Sequence, residues 1–112
     1  MSMPDKVPRQ QRNRGQVTRP TLHEWLASAR ELNRAGTDFL KVDAATGLTL
    51  AKAALSSPDA EKKQRNCKSA RKAYDTIMRL LKKVSPSDAD ARQLNDDLHE
   101  LKDDLIKLGE SF

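Results

Sequence analysis

The 112-residue chain has little of what cross-links a small protein, builds a β-sheet or crosses a membrane. Its one cysteine, Cys67, excludes an internal disulfide and fits a reducing compartment. β-Branched residues are few, so propensity favours helix over sheet. No segment approaches the roughly 20 apolar residues of a membrane span, and no apolar segment typical of a secretory signal follows the basic N-terminus. We therefore expect a cytoplasmic protein that does not enter a membrane.

Aromatic residues are also scarce, at 4% of the chain, whereas charged residues make up 33%. The net charge of +5 is unevenly distributed. It is +4 over residues 1–20, zero over 21–57, +6 over 58–84 and −5 over 85–112. This segregation is more informative than the total, because it assigns opposite charges to successive parts of one small domain.

Residues 1–20 hold three of the five prolines and almost no apolar side chain. Nothing in this segment would compensate the entropy lost on ordering it. The sequence therefore predicts a disordered basic N-terminal arm over 1–20 and a helical domain over 21–112.

Four helices are predicted in that domain, at about 21–35, 38–56, 58–84 and 86–108. Thr21 and Glu24 have the spacing of a capping box at the start of the first helix. Gly36 is predicted to end that helix, and Thr37 or Asp38 to cap the second. The third and fourth helices each follow a Ser-Pro pair, which suits a serine cap and a proline in the first turn.

The fourth helix has the clearest apolar periodicity in the chain. Its apolar residues recur at alternating steps of three and four, with charged residues between them, at Ala91, Leu94, Leu98, Leu101, Leu105 and Leu108. A stripe this narrow must be covered by other helices. With short connections between helices, the pattern predicts an all-α, antiparallel three- to four-helix bundle with coiled-coil-like packing. Trp25 and Tyr74 are expected to be packing anchors, with Trp25 holding the first helix against the others.

The third predicted helix is basic and the fourth is acidic. As antiparallel neighbours they could form flanking ion pairs, each worth roughly 0.2–1 kcal/mol when exposed. We expect this polarity mainly to set the register of the bundle.

A family resemblance rests on Ala70, Tyr74 and Ile77, which follow an alanine-rich helix containing Gly47. This small–aromatic–apolar spacing resembles the second helix of a tetratricopeptide-type hairpin. The segment 38–108 is also similar to the three-helix microtubule-interacting-and-transport type of domain. The third helix is longer than a repeat helix, and the motif occurs once. The resemblance implies binding of a peptide or partner helix in a groove between helices and brings no catalytic residue.

No motif in the sequence predicts catalysis, a cofactor or a metal. The two histidines, His23 and His99, lack the matching ligands on facing helices that a metal site would need. Cys67 has helical spacing to Ala70 and Tyr74, so we expect a buried, inert thiol. No phosphate-binding loop or nucleophile motif is present. We therefore predict that the protein is not an enzyme.

Two functional hypotheses remain. The first is a non-catalytic protein–protein interaction module that binds a partner helix or a second copy of itself through an inter-helix groove. Its tentative contact residues are Trp25, Gly47, Ala51 and Ala54. The alternative is a sequence-tolerant nucleic-acid-associated protein that uses the basic arm and the third helix. Its candidate residues are Arg9, Arg12, Arg14, Arg19, Lys62, Arg65, Arg71 and Lys72.

Overall fold

A computed structural model describes residues 21–112, and within that range the chain forms three α-helices and no β-strand. Helix α1 runs Leu22–Ser56, α2 runs Ala60–Leu80 and α3 runs Asp88–Lys107. A short 3₁₀ turn, Leu81–Lys83, extends the end of α2. The predicted all-helical fold is therefore confirmed for these residues. The predicted arm, residues 1–20, lies outside them.

The predicted break at Gly36 is wrong, because α1 is a single helix of 35 residues. Thr37 does not cap a new helix: its hydroxyl donates to the carbonyl of Asn33 at 2.9 Å, one turn back in the same helix. Gly36 instead allows Val84 to approach α1 closely, since a Cβ built at residue 36 would lie 2.7 Å from Cγ1 of Val84. A mid-helix glycine costs about 1 kcal/mol in propensity, which packing of the continuous helix can offset.

The next two helices begin slightly later than the Ser-Pro pairs predict. The N-cap of α2 is Asp59, whose carboxylate accepts from the backbone N–H groups of Glu61 and Lys62. Ser87 caps α3 by accepting from the N–H of Asp90 at 3.2 Å. In each case the side chain after the proline, rather than the serine before it, satisfies the free N–H groups of the first turn.

The end of α3 agrees with the sequence. Gly109 has φ +99°, in the left-handed region that other residues rarely adopt. This turn lets the N–H of Glu110 bond the carbonyl of Leu105 at 2.9 Å, which closes the helix as a Schellman-type cap.

Helix α1 packs against both α2 and α3, while α2 and α3 contact each other less. Two reversals of direction make α1 and α3 parallel, with α2 antiparallel to both. The leucine stripe of α3 is confirmed as core: Leu94, Leu98, Leu101 and Leu105 are all buried. None of the three helices is long and apolar enough to cross a membrane.

The three helices differ in length, and this difference creates the candidate site. At 1.5 Å per residue, α1 is about 52 Å long, whereas α2 and α3 are each about 30 Å long. The first buried residue of α1 is Thr37. Residues 22–32 therefore extend beyond the part of α1 that α2 and α3 cover.

Candidate protein-interaction surface

The N-terminal third of α1 has one apolar face, which we call the free stripe. It consists of Leu22, Trp25, Leu26, Ala29 and Leu32, at helical steps of three and four. The same face continues along α1 into the buried residues Leu40 and Ala44 of the bundle. The stripe is thus the uncovered extension of the core-facing surface.

A capping box fixes the start of this segment, as the sequence predicts. The hydroxyl of Thr21 accepts from the N–H of Glu24, and the Glu24 carboxylate accepts from the N–H of Thr21, both at 3.1 Å. The hydrogen bond from the Thr21 backbone holds the pKa of Glu24 below its usual value. The helix start is therefore stabilised locally, without help from α2 or α3.

The large side chains of the free stripe are exposed to an unusual extent. Leu22 is 77% exposed, Trp25 62%, Leu26 46% and Leu32 74%. Single exposed apolar residues are common on proteins, whereas a contiguous apolar group is typical of surfaces that bind a protein, a membrane or a ligand. The expectation that Trp25 anchors the first helix to the bundle is wrong, because α2 and α3 do not reach it. Trp25 instead lines a shallow depression together with Ser28, Ala29 and Leu32.

The inner end of the free stripe is marked by the connection between α2 and α3. The Asn33 side chain donates to the carbonyl of Ser85 at 2.9 Å and accepts from its N–H at 2.7 Å. One turn further along α1, Val84 packs over Gly36. The connection between α2 and α3 therefore lies against α1 at Asn33 and Gly36 and forms a ridge there, which we call the step. The free stripe lies on the N-terminal side of this step, where α2 and α3 do not cover α1.

The small residues predicted as partner contacts lie elsewhere and are covered. Ala51 and Ala54 are fully buried, and a Cβ on Gly47 would lie 3.0 Å from Cδ2 of Leu101 and 3.2 Å from Cβ of Ala73. The face of α1 formed by Gly47, Ala51 and Ala54 is thus covered by α2 and α3 of the same chain. Gly47 is also 22 residues from Trp25, or about 33 Å along the helix, so the two do not form one site.

A second concave surface lies between α2 and α3, which contact each other less than either contacts α1. The residues that line it are Tyr74, Met78, Leu81, Asn95, Leu98, His99 and Lys102. Met78 is 42% exposed, whereas Leu98 is buried. This groove offers less exposed apolar surface than the free stripe, because one side chain rather than four projects from it.

The C-terminal residues pack beside this groove. The ring of Phe112 meets Tyr74 edge to face, with centroids 5.0 Å apart, and the Arg71 guanidinium lies 4.0 Å from the Phe112 centroid. Arg71 also bonds Glu110 at 3.2 Å and the carbonyl of Ser111 at 2.7 Å. The Arg71 guanidinium is therefore engaged by the C-terminal residues of its own chain. In this it differs from the other α2 residues predicted to contact nucleic acid.

Of those other residues, Lys62, Arg65 and Lys72 are exposed on α2. None of them is paired with an acid among residues 21–112. The remaining four, Arg9, Arg12, Arg14 and Arg19, lie outside the described residues. The expected ion pairs between the basic and acidic helices do not form among the described residues of α2 and α3. Three acids of α3 pair with α1 instead: Asp90 with Lys41 at 3.0 Å, and Glu100 and Asp104 with Lys52 at 2.7 and 2.8 Å.

The side chains considered for catalysis or metal binding are scattered. Cys67 is buried, as expected, and burial together with the Glu110 carboxylate 3.9 Å from its sulfur raises the pKa of the thiol. A raised pKa disfavours the nucleophilic thiolate. His23 and His99 are both exposed, and the ring of His99 contacts the carbonyl of Asn95. Across residues 21–112, no group of three or more His, Cys, Asp or Glu side chains is placed to hold a metal ion.

Comparisons with protein-family models, with curated proteins and with solved structures found no match to this chain.

Proposed function

We propose that this chain is a non-catalytic protein-interaction module of the cytoplasm, and that the free stripe of α1 is its docking surface. The observation that carries the proposal is the exposure of four large apolar side chains on one helix face beyond the ends of α2 and α3. The proposal keeps the predicted function and Trp25 as a contact residue, and it replaces Gly47, Ala51 and Ala54 by the other residues of the free stripe.

Helix energetics support a partner at this place. Extending an already formed helix adds little stability per residue, and most helical stability in proteins comes from packing an apolar face. Residues 22–32 have a capping box but receive no tertiary cover from α2 or α3. A partner that covers the stripe would bury Leu32 and its neighbours, at roughly 1.5–3 kcal/mol for each fully buried large side chain.

Site-specific photo-crosslinking tests the proposal. A benzophenone amino acid replaces Leu32 on the stripe or, as the matched control, Val42, which is also exposed on α1 but points away from the stripe. In cells that express the chain, we expect a protein adduct from position 32 and none from position 42. Equal adducts from both positions, or none from position 32, would refute the proposed docking surface.

A second function, sequence-tolerant binding of nucleic acid, is favoured by one observation. No ion pair joins Lys62, Arg65 or Lys72 of α2 to an acid of α3 among residues 21–112, whereas three acids of α3 pair with Lys41 and Lys52 of α1. These three cations are exposed on α2 and are available for phosphate groups. This reverses the sequence-based argument that the acidic helix would pair with its basic neighbour.

Retention on RNA or DNA at low salt tests this alternative. Replacing three α2 cations by glutamine should reduce the magnitude of the salt slope by about two to three, since each phosphate contact contributes up to about 0.9. These residues are Lys62, Arg65 and Lys72. The control carries the same charge change on α3. Its residues are Arg92, Lys102 and Lys107. Equal losses from both triple variants would show a general charge effect, and no retention of the unmodified chain would eliminate nucleic-acid binding.

A further inference from the structure

We propose that the partner of the free stripe is a second copy of this chain, with the two N-terminal segments of α1 paired antiparallel about a two-fold axis. This inference rests on the proposed docking function and assigns its occupant. It is carried by the order of large and small residues along the stripe, the charge of the flanking positions and the length of the uncovered segment.

Large and small residues alternate along the free stripe, so two antiparallel copies of it are complementary in shape. Leu22, Trp25, Ala29 and Leu32 are separated by steps of three, four and three, the spacing of core positions in a coiled coil. Reversing one copy places Leu22 opposite Leu32 and Trp25 opposite Ala29, and the two-fold repeats both pairs. Each large indole then meets a methyl group, and it enters the depression that Ser28 and Ala29 help to line.

A parallel pair of the same segments would not fit as well. Each core residue would then meet its own equivalent, so Trp25 would oppose Trp25 and Ala29 would oppose Ala29. The two indoles would hold the helices apart at one layer, and the next layer would have only two methyl groups to fill the gap. Protein interiors tolerate such voids poorly.

The positions that flank Leu22, Trp25, Ala29 and Leu32, the core residues of the proposed pair, carry no charge. In an antiparallel pair related by a two-fold axis, each flank of a helix meets the same flank of its copy. Those flanks carry Leu26 on one side and Ser28 on the other, followed by Asn33 and Ala35. Like charges at these positions would have opposed self-association, because flanking charges set partner choice in helical pairs.

The uncovered length of α1 matches the segment that would cover it. The stripe spans residues 22–32, about 16 Å, and ends at the step formed by Asn33 and Ser85. In the antiparallel pair, residue 22 of the second copy lies level with residue 32, so its helix begins where the step begins. Two copies of the segment therefore pair over their full uncovered length without reaching Val84.

The surface involved is small, which predicts a reversible dimer. Burying most of the four large side chains would remove on the order of 400 Å² from each copy, at the low end for specific interfaces. We expect a dissociation constant on the order of 10–100 µM, typical of weak association. Sedimentation equilibrium should detect this dimer. The emission of Trp25, the only tryptophan, should shift to shorter wavelength over the same concentration range.

Paired variants assign the dimer to the stripe. Leu32→Glu should raise the dissociation constant at least about a hundredfold, because every dimer carries two buried carboxylates. Val42→Glu introduces the same charge on α1 away from the stripe and should leave the dissociation constant within about threefold. Well below the dissociation constant, where the parent chain is also monomeric, circular dichroism of both variants should match that of the parent chain. Equal weakening by the two variants would overturn the assignment.

Cysteine cross-linking tests the direction of the pair, with Cys67→Ser as the background. Ser28→Cys places thiols beside each other only in the antiparallel arrangement, where the same flanks meet. Leu32→Cys does so only in a parallel pair, since antiparallel pairing separates the two positions by ten residues, about 15 Å along the axis. A disulfide-linked dimer from Ser28→Cys alone is the expected result, and one from Leu32→Cys alone would overturn the antiparallel proposal.

The same measurements separate this inference from the proposed function. One possible result is a chain that stays monomeric at 1 mM, about a hundredfold above the tighter expected dissociation constant, and still gives adducts of another protein from position 32. That result would refute the homodimer but leave the proposed protein-interaction function standing. A monomer with no adduct at position 32 would refute both.

Discussion

Replacing Gly47 by alanine should destabilise the bundle, although helix propensity alone predicts the opposite. The substitution adds one methyl group in the middle of α1, and alanine is favoured over glycine there by about 1 kcal/mol. A Cβ at this position would lie 3.0 Å from Cδ2 of Leu101 and 3.2 Å from Cβ of Ala73. Both distances are shorter than ordinary carbon contacts, so the Leu101 side chain and the backbone that carries Ala73 must give way by a few tenths of an ångström.

The overpacking should outweigh the propensity gain. Leu101 is fully buried, and Ala73 has no rotamer through which its Cβ could move away. Extra methyl groups forced into well-packed cores typically cost about 1–3 kcal/mol. After the propensity gain of about 1 kcal/mol is subtracted, the expected net loss in the free energy of unfolding is about 1 kcal/mol, within a range of roughly 0–2.

Equilibrium urea unfolding, followed by circular dichroism, measures this loss. Ala45→Gly is the matched control, because Ala45 is exposed on the same helix two residues earlier and reports the propensity difference without a packing change. We expect both variants to be less stable than the parent chain. A Gly47→Ala variant that is more stable by the amount lost in Ala45→Gly would show that the three helices do not approach closely at Gly47.

Two further predictions concern the C-terminal cap and an ion pair. Gly109→Ala should lower the free energy of unfolding by about 1 kcal/mol in the same assay, because alanine is strained at φ +99°; an unchanged value would refute the need for a left-handed residue at this cap. Hydrogen bonds to Asp104 and then Glu100 raise the pKa of Lys52 from 10.5 to about 12, so the stability it contributes is complete below pH 10.5 and is lost as the pH rises through 12. The difference in urea midpoint between the parent chain and Lys52→Met should therefore be constant below pH 10.5 and shrink as the pH rises from 10.5 through about 12, and a difference that stays constant over that range would contradict the ion pair.

Much of the fold could be predicted from local chemistry. The capping box at Thr21 and the helix end at Gly109 depend on hydrogen bonds within a few residues, and both are confirmed. The leucine stripe of α3 is narrow and regular enough to identify its buried face. Such features depend on short-range rules that need no knowledge of neighbouring helices.

Gly36 shows where that reasoning fails. A glycine followed by Thr37 and Asp38 has the sequence of a helix end and a new N-cap, and only tertiary structure reveals the alternative. Val84 lies so close to α1 that a side chain at residue 36 would collide with it. The same glycine can therefore indicate a helix end or a close approach, and local sequence does not distinguish the two.

The location of the candidate site depended on helix length rather than on residue pattern. The apolar face of α1 is continuous from Leu22 to Ala54, so periodicity alone predicts burial throughout. How much of that face is covered depends on where α2 and α3 end and on the position of the connection at Ser85. Trp25 was therefore predicted as a core residue, whereas the structure places it beyond the step.

The charge pattern illustrates the same dependence on three-dimensional register. Opposite net charges on neighbouring helices suggested that the third and fourth predicted helices neutralise each other. The acids of α3 instead meet Lys41 and Lys52, which are eleven residues apart on α1 and pair with Asp90 and Asp104. Two ion pairs separated by three turns favour one parallel register of α1 and α3. Lys62, Arg65 and Lys72 of α2 form no ion pair with an acid of residues 21–112 and lie on a different helix from the free stripe.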